Sequence, residues 1–355
     1  MIHYLPADLV AVATRLLEEG GLDLEKAAVV AETLMEGDLL GHDTHGLAQL
    51  PSYLEELKSD AMTHSGTFAV LSDHGAVALW DGLWLPGPWL VAQALDEAAR
   101  RACQFGISMI AVRRSHHTAC LQAYLKHITD QGLVAFVSCS DPSGATVAPF
   151  GGLDPVFQPD PFAVGIPTEA DPILIDMSSS ITSNSMVSRR LAAGQRLPGK
   201  WVQDADGEPS DDPSVLTATP PGTLLLTGGH DHGYKGQGLA LMVESMAFGL
   251  SGYGRANAED RWGASFLVQV IDPAHFDGIA SFVEQSSELV QRVHAARPKS
   301  SDERLRVPGE RALTTRDAAL ENGIELLPGI SEQLDGLAAL YGVAPAYPMP
   351  PRGER

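Results

Sequence analysis

Apolar residues recur at helical spacing through the first sixty positions. Between residues 9 and 17 they repeat every three or four positions until Gly20, which predicts an amphipathic helix that ends there. Asp23 is a capping residue type at the start of a second such run, and Pro51 opens a third. We therefore predict a helical amino-terminal segment with a histidine-rich turn before its third helix.

The middle of the chain alternates between short apolar runs and amphipathic segments, as α/β layers do. Strands are predicted at residues 107–112, 133–138, 173–176 and 265–271, and helices at 88–101, after Thr118 and after the Gly-rich segment 228–238. After Pro273 the pattern returns to helix. We predict a helical domain at 1–75, a central α/β domain for cofactor and substrate at 76–284, and helices at 285–355 that pack with the first domain.

Composition limits the classes of protein. The chain has 355 residues, with 45 acidic against 24 basic residues and a net charge of -21. This length supports a sizeable core, and the negative charge argues against a nucleic acid partner. With neither a long apolar run nor a basic leader, we expect no membrane span and no secretory signal. Cys103, Cys120 and Cys139 are odd in number and lack CxxC spacing, which favours reduced thiols and a cytoplasmic location.

Two glycine-rich segments come close to nucleotide-binding motifs. Residues 194–200 have P-loop spacing, but Trp201 stands where a Ser or Thr would ligate magnesium. Gly236 and Gly238 begin a dinucleotide fingerprint, but Leu241 occupies the position of its third glycine. If the chain binds a dinucleotide, we therefore expect it to do so without a Rossmann loop.

Histidine is the most suggestive residue type, because imidazole exchanges protons near neutral pH. Three pairs occur: His42 with His45, His116 with His117, and His230 with His232. His45 lies in a glycine-flanked turn after a helix, and His117 follows a predicted strand, where α/β sheets bind ligands. The same pairs are compatible with zinc, so a metal-dependent hydrolase or lyase is an alternative hypothesis.

Six short segments recur in a characteristic order along nearly the whole chain. They are residues 41–46, 115–117, 140–142 with 149–152, 175–180, 233–239 and 308–310. Together they resemble the type 2 malate/L-lactate dehydrogenase family, which includes ureidoglycolate dehydrogenase, sulfolactate dehydrogenase, diketogulonate reductase and piperideine-2-carboxylate reductase.

The resemblance implies both a fold and a reaction. The fold would be α/β, with a non-Rossmann mixed sheet that binds NAD or NADP, helices on both faces, and a helical domain from both termini. The protein would be a homodimer with its active site near the interface. Its reaction would be hydride transfer between nicotinamide and the α carbon of a small-molecule substrate, either a 2-hydroxy or 2-oxo acid or a cyclic imino acid.

The resemblance also assigns roles to residues. His45 and His117 would be the active-site histidines, with His45 preferred as the acid/base. Asp176 would lie near the nicotinamide or support the proton relay, while Gln49 and Tyr53 would contact substrate. The cofactor-binding candidates are Ser140, Asp176, Met177, Ser178, Lys235, Gly309 and Glu310. No residue is assigned to a metal.

The chain departs from the family pattern around the expected pocket. Gln49 and Leu40 stand where many members carry Arg, Met186 replaces a Lys, and Asp160 replaces an Asn. An arginine would clamp a carboxylate through two charged hydrogen bonds, whereas Gln offers a neutral one. An alternative hypothesis is therefore a diverged member with a non-standard biosynthetic substrate. The nearby cations that would compensate are Arg113, Arg114, Arg189 and Arg190.

Overall fold

The computed structural model describes residues 2–300 and 304–350. The helices in these ranges are α1 (Pro6–Glu19), α2 (Leu24–Leu39), α3 (Leu50–Lys58), α4 (Gly87–Phe105), α5 (Leu125–Thr129), α6 (Asn184–Ala192), α7 (Gly229–His232), α8 (Tyr234–Glu244), α9 (Ile279–Ala295), α10 (Glu310–Asn322) and α11 (Ile330–Tyr341). The strands are β1 (Ala69–Asp73), β2 (Val77–Asp81), β3 (Ile107–Ser115), β4 (Val134–Ser140), β5 (Pro161–Ile166), β6 (Ile173–Ser178), β7 (Val202–Gln203), β8 (Pro209–Ser210), β9 (Thr223–Leu224) and β10 (Ala264–Ile271).

The first helices form where the apolar periodicity predicts them. The buried side of α1 consists of residues at helical spacing, among them Leu9 and Leu16. Asp23 caps α2, because its carboxylate accepts a hydrogen bond from the Lys26 amide at 3.1 Å. α4 ends at Gly106, which adopts a left-handed conformation with φ 83°.

The main sheet has seven strands in the order β1-β2-β3-β10-β4-β5-β6. β2 and β3 pair in parallel, whereas the other neighbours are antiparallel. Since β3 and β4 both oppose β10, and β4 and β6 both oppose β5, the strands β2, β3, β4 and β6 all point the same way. Their carboxyl termini lie at one end of the sheet, which we call the carboxyl end. The prediction of an α/β fold with a mixed sheet is confirmed.

Three hydrophobic cores support this arrangement. The largest lies under the main sheet and α4. A second joins α1, α2 and α3 to α10 and α11, so helices from both ends of the chain pack together. A third underlies the small sheet β8-β7-β9 and includes Val187 of α6 and Ala240 of α8. β1 belongs to the main sheet although it falls within residues 1–75, and the three domain limits remain predictions. No helix in the described ranges is both long and apolar enough to cross a membrane.

The sequence pattern does not reveal β1, β2, β5 or the small sheet. β1 is an edge strand with a register shift between Val70 and Ser72, which breaks its alternation. β5 begins with Pro161 and contains Gly165, residues that are rare in strands. A side chain at Gly165 would collide with Thr129 of α5, so this glycine permits a close helix-on-sheet contact.

Candidate active site

The segment between α2 and α3, residues 40–46, forms a tight turn that we call the histidine turn. The His42 amide donates to the Gly37 carbonyl and the His45 amide to the His42 carbonyl, each at 2.8 Å. Asp38 holds the end of this turn, because its Oδ2 accepts a hydrogen bond from the Leu47 amide at 2.8 Å. A side chain at Gly46 would overlap the Asp38 carboxyl group, so the close approach requires glycine. Burial raises the pKa of Asp38 to about 7.

His45 and His117 face each other across the candidate site. Their ring centroids are 6.0 Å apart, and the ring planes differ by 23°. His45 belongs to the histidine turn, whereas His117 lies two residues beyond β3 at the carboxyl end of the sheet. The structure thus brings together the two predicted active-site histidines from different layers of the fold.

Both rings are held through Nδ1 by a hydroxyl group. Thr44 Oγ1 lies 2.9 Å from His45 Nδ1, and the fully buried Tyr53 hydroxyl lies 2.8 Å from His117 Nδ1. The Tyr53 hydroxyl also lies 3.2 Å from the His117 carbonyl oxygen. The Ala119 amide donates to the same ring nitrogen, Nδ1, at 3.4 Å. Nδ1 is therefore the nitrogen through which the protein holds the His117 ring.

Burial keeps these imidazoles neutral near pH 7. It lowers the pKa of His45 to about 4, with a further contribution from His42, and lowers that of His117 well below its usual value. Neither Nε2 atom has a hydrogen-bond partner within residues 2–300 and 304–350. Each ring therefore presents a nitrogen that is available to a substrate.

Trp262 forms the wall behind His117. Its ring stacks on His117 with centroids 5.0 Å apart and meets Tyr53 at 6.1 Å. The same indole contacts His116, whose Nε2 lies 3.1 Å from Glu56 Oε2. Sequence reasoning missed Trp262. This residue lies two positions before β10, and β10 starts at the carboxyl end of the sheet, so its position relative to the strand could have indicated it.

Asp176 lies near the carboxyl terminus of β6 and is linked to the histidine turn. Its Oδ2 accepts the Gln122 amide at 2.9 Å and lies 3.9 Å from Cys120 Sγ. Gln122 Oε1 is 2.7 Å from His42 Nε2, so this glutamine contacts both groups. Burial raises the pKa of Asp176. The predicted catalytic carboxyl group thus reaches the turn at His42, and Gln122 is a further residue that sequence reasoning missed.

Ser140 and Asp160 form a buried pair at the carboxyl end of the sheet. Ser140 Oγ donates a hydrogen bond to Asp160 Oδ1 at 2.6 Å. Asp160 Oδ2 has no partner in the part of the chain that the structure describes. Burial, with the nearby Glu244, raises the pKa of Asp160 to about 8. Asp160, which replaces the expected amide, is therefore largely protonated at neutral pH.

Three cofactor candidates lie together where β6 meets α8. A side chain at Gly236 would collide with the Ser179 carbonyl, so α8 begins directly against the segment after β6. Lys235, next to Gly236, is exposed and has no hydrogen-bond or ion-pair partner among the described residues. Ser178 Oγ donates to the Ser180 carbonyl at 2.8 Å, and Met177 is exposed. A cavity of about 350 Å³ lies beside α7 and is lined in part by His230 and by Gly233, which precedes α8.

The remaining predicted residues lie at the margins of this region. Gln49 Nε2 donates to the Thr44 carbonyl at 2.8 Å, so it supports the histidine turn. Gly309, with φ 101°, packs against Leu174 of β6. Glu310 Oε1 is 2.6 Å from His294 Nε2, so this carboxylate already has a partner within the chain.

Comparison with known proteins identifies the family. The family model of malate/L-lactate dehydrogenase matches residues 5–335. A Delta(1)-pyrroline-2-carboxylate/Delta(1)-piperideine-2-carboxylate reductase from Pseudomonas syringae pv. tomato is 31% identical over 344 residues, which cover 93% of this chain and 94% of the relative. A (2R)-3-sulfolactate dehydrogenase (NADP(+)) from Chromohalobacter salexigens is 30% identical over 351 residues, covering 95% and 98%. The solved malate dehydrogenase of Pyrococcus horikoshii matches with a TM-score of 0.87 and 25% identity, covering 97% of each chain.

The chain belongs to the malate/L-lactate dehydrogenase family. It is therefore an enzyme, an oxidoreductase of the NAD(P)-dependent dehydrogenase and reductase type. The resemblance, the enzyme class and the cofactor class predicted from the sequence are confirmed, and the metal-dependent hydrolase alternative is not favoured. The roles of individual site residues remain predictions.

Asp38 provides a test of how the histidine turn is held. In the folded protein Asp38 stays protonated up to about pH 7, whereas in the unfolded chain it ionises near its ordinary pKa of 3.8. The contribution of Asp38 to the free energy of unfolding is therefore complete below pH 3.8 and is lost as the pH rises to about 7. Asp38→Asn should remove this loss. Between about pH 4.5 and 7.5 the unfolding free energy of the variant should gain about 2–3 kcal/mol relative to wild type.

Urea denaturation at several pH values measures this difference, with Asp130→Asn as the control at an exposed carboxylate. Parallel pH curves for wild type and Asp38→Asn would show that Asp38 ionises normally in the folded protein.

Proposed function

We propose that this enzyme transfers hydride reversibly between NAD or NADP and the α carbon of a 2-hydroxy or 2-oxo acid, or of a cyclic imino acid, with the substrate bound beside the Nε2 atoms of His45 and His117. The observation that carries the proposal is the facing pair of neutral imidazoles with unpartnered Nε2 atoms in the described chain. Oxidation of an alcohol releases a hydroxyl proton as the hydride leaves, and a neutral imidazole is suited to accept it.

We assign the proton exchange to His117. Tyr53 and the Ala119 amide hold Nδ1 of this ring, which leaves Nε2 to exchange a proton with the substrate. Tyr53 then acts as a positioning residue, although the sequence suggested a substrate contact. His45, which the sequence favoured as the acid/base, would hold the substrate oxygen from the opposite side.

The residues around β4, β6 and α8 fit a dinucleotide. Lys235 is an exposed ammonium group without a partner in the described ranges, and a cation beside a strand terminus suits phosphate. Protonated Asp160 removes a negative charge beside Ser140 that would repel the same phosphates. Met177, Ser178, Gly309 and Glu310 complete the predicted cofactor contacts. When bound, the cofactor supplies or accepts the hydride.

Arg189 is our candidate anchor for the substrate carboxylate. Arg113 and Arg114 are both committed to the buried Asp81, with distances of 3.0 and 2.6 Å. Arg189 of α6 is more than one-third exposed, and its Nη1 lies 2.8 Å from Asp43 Oδ1 in the histidine turn. Its ion pair with Asp43 brings the guanidinium group to the segment that carries His45, and its remaining N–H donors would bind the acid, whereas Gln49 can offer only a neutral amide.

We also infer a cytoplasmic homodimer. The dimer is supported by the family resemblance and by exposed apolar residues on and after α8, among them Leu241 and Leu250. Free Cys103, Cys120 and Cys139 agree with a reducing compartment. Light scattering of the purified protein should give about twice the chain mass of 37.7 kDa. A mass that stays at one chain across a concentration series would contradict the dimer.

The histidine roles are tested by paired variants. His117→Ala should lower kcat/KM for oxidation by about 10²- to 10⁴-fold, because it removes the base, and His45→Ala should cost less. The wild-type profile should be flat from about pH 6.5 to 9 and fall only under acidic conditions, since burial depresses the pKa values of both rings. His117→Ala should lose this acidic limb.

A fluorescence titration with NADH and NADPH, followed by a screen of 2-oxo acids and cyclic imines, provides the control. Both variants should bind cofactor like wild type. A larger loss in His45→Ala would return the acid/base role to His45. Folded wild-type protein that binds neither cofactor would contradict the proposed reaction.

The arginine anchor is tested with its neighbour as control. Arg189→Ala should raise KM for the acid about 10- to 100-fold, because a charge-assisted hydrogen bond contributes about 1.5–3 kcal/mol, while KM for the cofactor should stay unchanged. Arg190→Ala should leave both KM values near wild type, since Arg190 bonds to Gln195 on the surface. Equal effects of the two substitutions would exclude Arg189 as the anchor.

A further inference from the structure

Three side chains with different donor atoms meet beside the histidine turn. They are His42 of the turn, Cys120 before the 3₁₀ turn Leu121–Tyr124, and Asp176 of β6. One donor atom from each lies within 4.8 Å of the other two. Imidazole nitrogen, thiolate sulfur and carboxylate oxygen are the ligand types that zinc binds in proteins.

We propose that His42, Cys120 and Asp176 form a binding site for a divalent transition metal ion, with Zn²⁺ best suited to the donor set, and that occupancy of this site inhibits the enzyme. Zinc–ligand bonds of about 2.0–2.3 Å place tetrahedral donors about 3.3–3.8 Å apart. Cys120 Sγ and Asp176 Oδ2 are already 3.9 Å apart, so small side-chain rotations bring the three donors to bonding distance. A water molecule would take the fourth position.

The surrounding contacts hold these donors close together without a metal ion. The Gln122 amide binds Asp176, while its side-chain oxygen contacts His42. Gln122 Nε2 also donates to the Leu174 carbonyl at 2.9 Å, which fixes the amide orientation. Such outer hydrogen bonds orient ligands at metal sites. His42 and Asp176 are half-buried and Cys120 is buried, so an ion would enter past the first two.

Binding would change the active site in two ways. The Cys120 thiol would release its proton to solvent as sulfur bonds to the ion, and Asp176 would become a metal ligand. Coordination would also fix His42, whose carbonyl accepts a hydrogen bond from the His45 amide, and so restrict the turn that carries His45. The inhibition, unlike the binding, rests on the proposed function.

Cobalt titration tests the site without reference to activity. Chelator-treated full-length protein should take up one Co²⁺ per chain with the near-ultraviolet absorption of a thiolate–Co²⁺ bond, and Zn²⁺ should remove that absorption. Cys120→Ser should abolish it, whereas Cys103→Ser, which removes the exposed thiol, should retain it. His42→Asn should weaken Co²⁺ binding by more than about tenfold, and the exposed His230→Asn should not.

The activity assay tests the second half of the proposal. Zn²⁺ should inhibit the wild type reversibly, and Cys120→Ser should require at least about tenfold more Zn²⁺. No thiolate absorption in the wild type, or absorption that survives Cys120→Ser, would overturn the site. Binding without inhibition would confirm the site and overturn its inhibitory effect. Because the cobalt spectrum needs no substrate, failure of the site and failure of the proposed reaction are distinguishable.

Discussion

The buried hydrogen bond between Tyr53 and His117 is the interaction on which the active site depends. Tyr53 belongs to the helical layer and His117 to the carboxyl end of the sheet, so the bond forms only when α3 is packed against that end. An unpaired hydroxyl in this fully buried position would cost about 1–3 kcal/mol. The same packing brings the histidine turn, which directly precedes α3, to face His117. One polar contact therefore holds the His117 ring in place and helps to set the relative placement of the two rings.

Burial determines the protonation of the ionisable side chains in the active site. This matters in a chain whose net charge is -21. It lowers the pKa values of His45 and His117 and raises those of Asp160 and Asp176. Both kinds of group are thereby shifted toward their neutral forms. An acidic protein can in this way offer an anionic acid and a phosphorylated cofactor a pocket with little negative charge. In the proposed function, the exposed Lys235 and the Arg189 guanidinium, which is paired with Asp43, lie at the borders of this pocket.

Much of this architecture was predictable because it follows from local pattern. The amphipathic helices α1 to α4 and the strands β3, β4, β6 and β10 carry strong periodicity or continuous apolar runs. β1, β2 and β5 do not, because edge position, a bulge, proline and glycine interrupt their patterns. His45 and His117 were each singled out by turn context and strand position, whereas the packing that makes their rings face each other was not predictable. The roles of Trp262, Gln122 and Asp38 depend on tertiary contacts, some between residues more than 50 positions apart, which no single segment encodes.

The division of the site between two layers bears on how such an enzyme diversifies. In the proposed reaction, the groups around the acid come largely from the histidine turn, α3 and α6, whereas most of the cofactor contacts come from the ends of β4 and β6 and the start of α8. Mutations in the histidine turn, α3 and α6 can therefore change the contacts to the acid while His117 and the cofactor contacts at the sheet persist. Relatives named for sulfolactate and for cyclic imino acids match this chain over nearly its full length. Separate inheritance of substrate choice and redox chemistry gives this fold a simple route to new specificities.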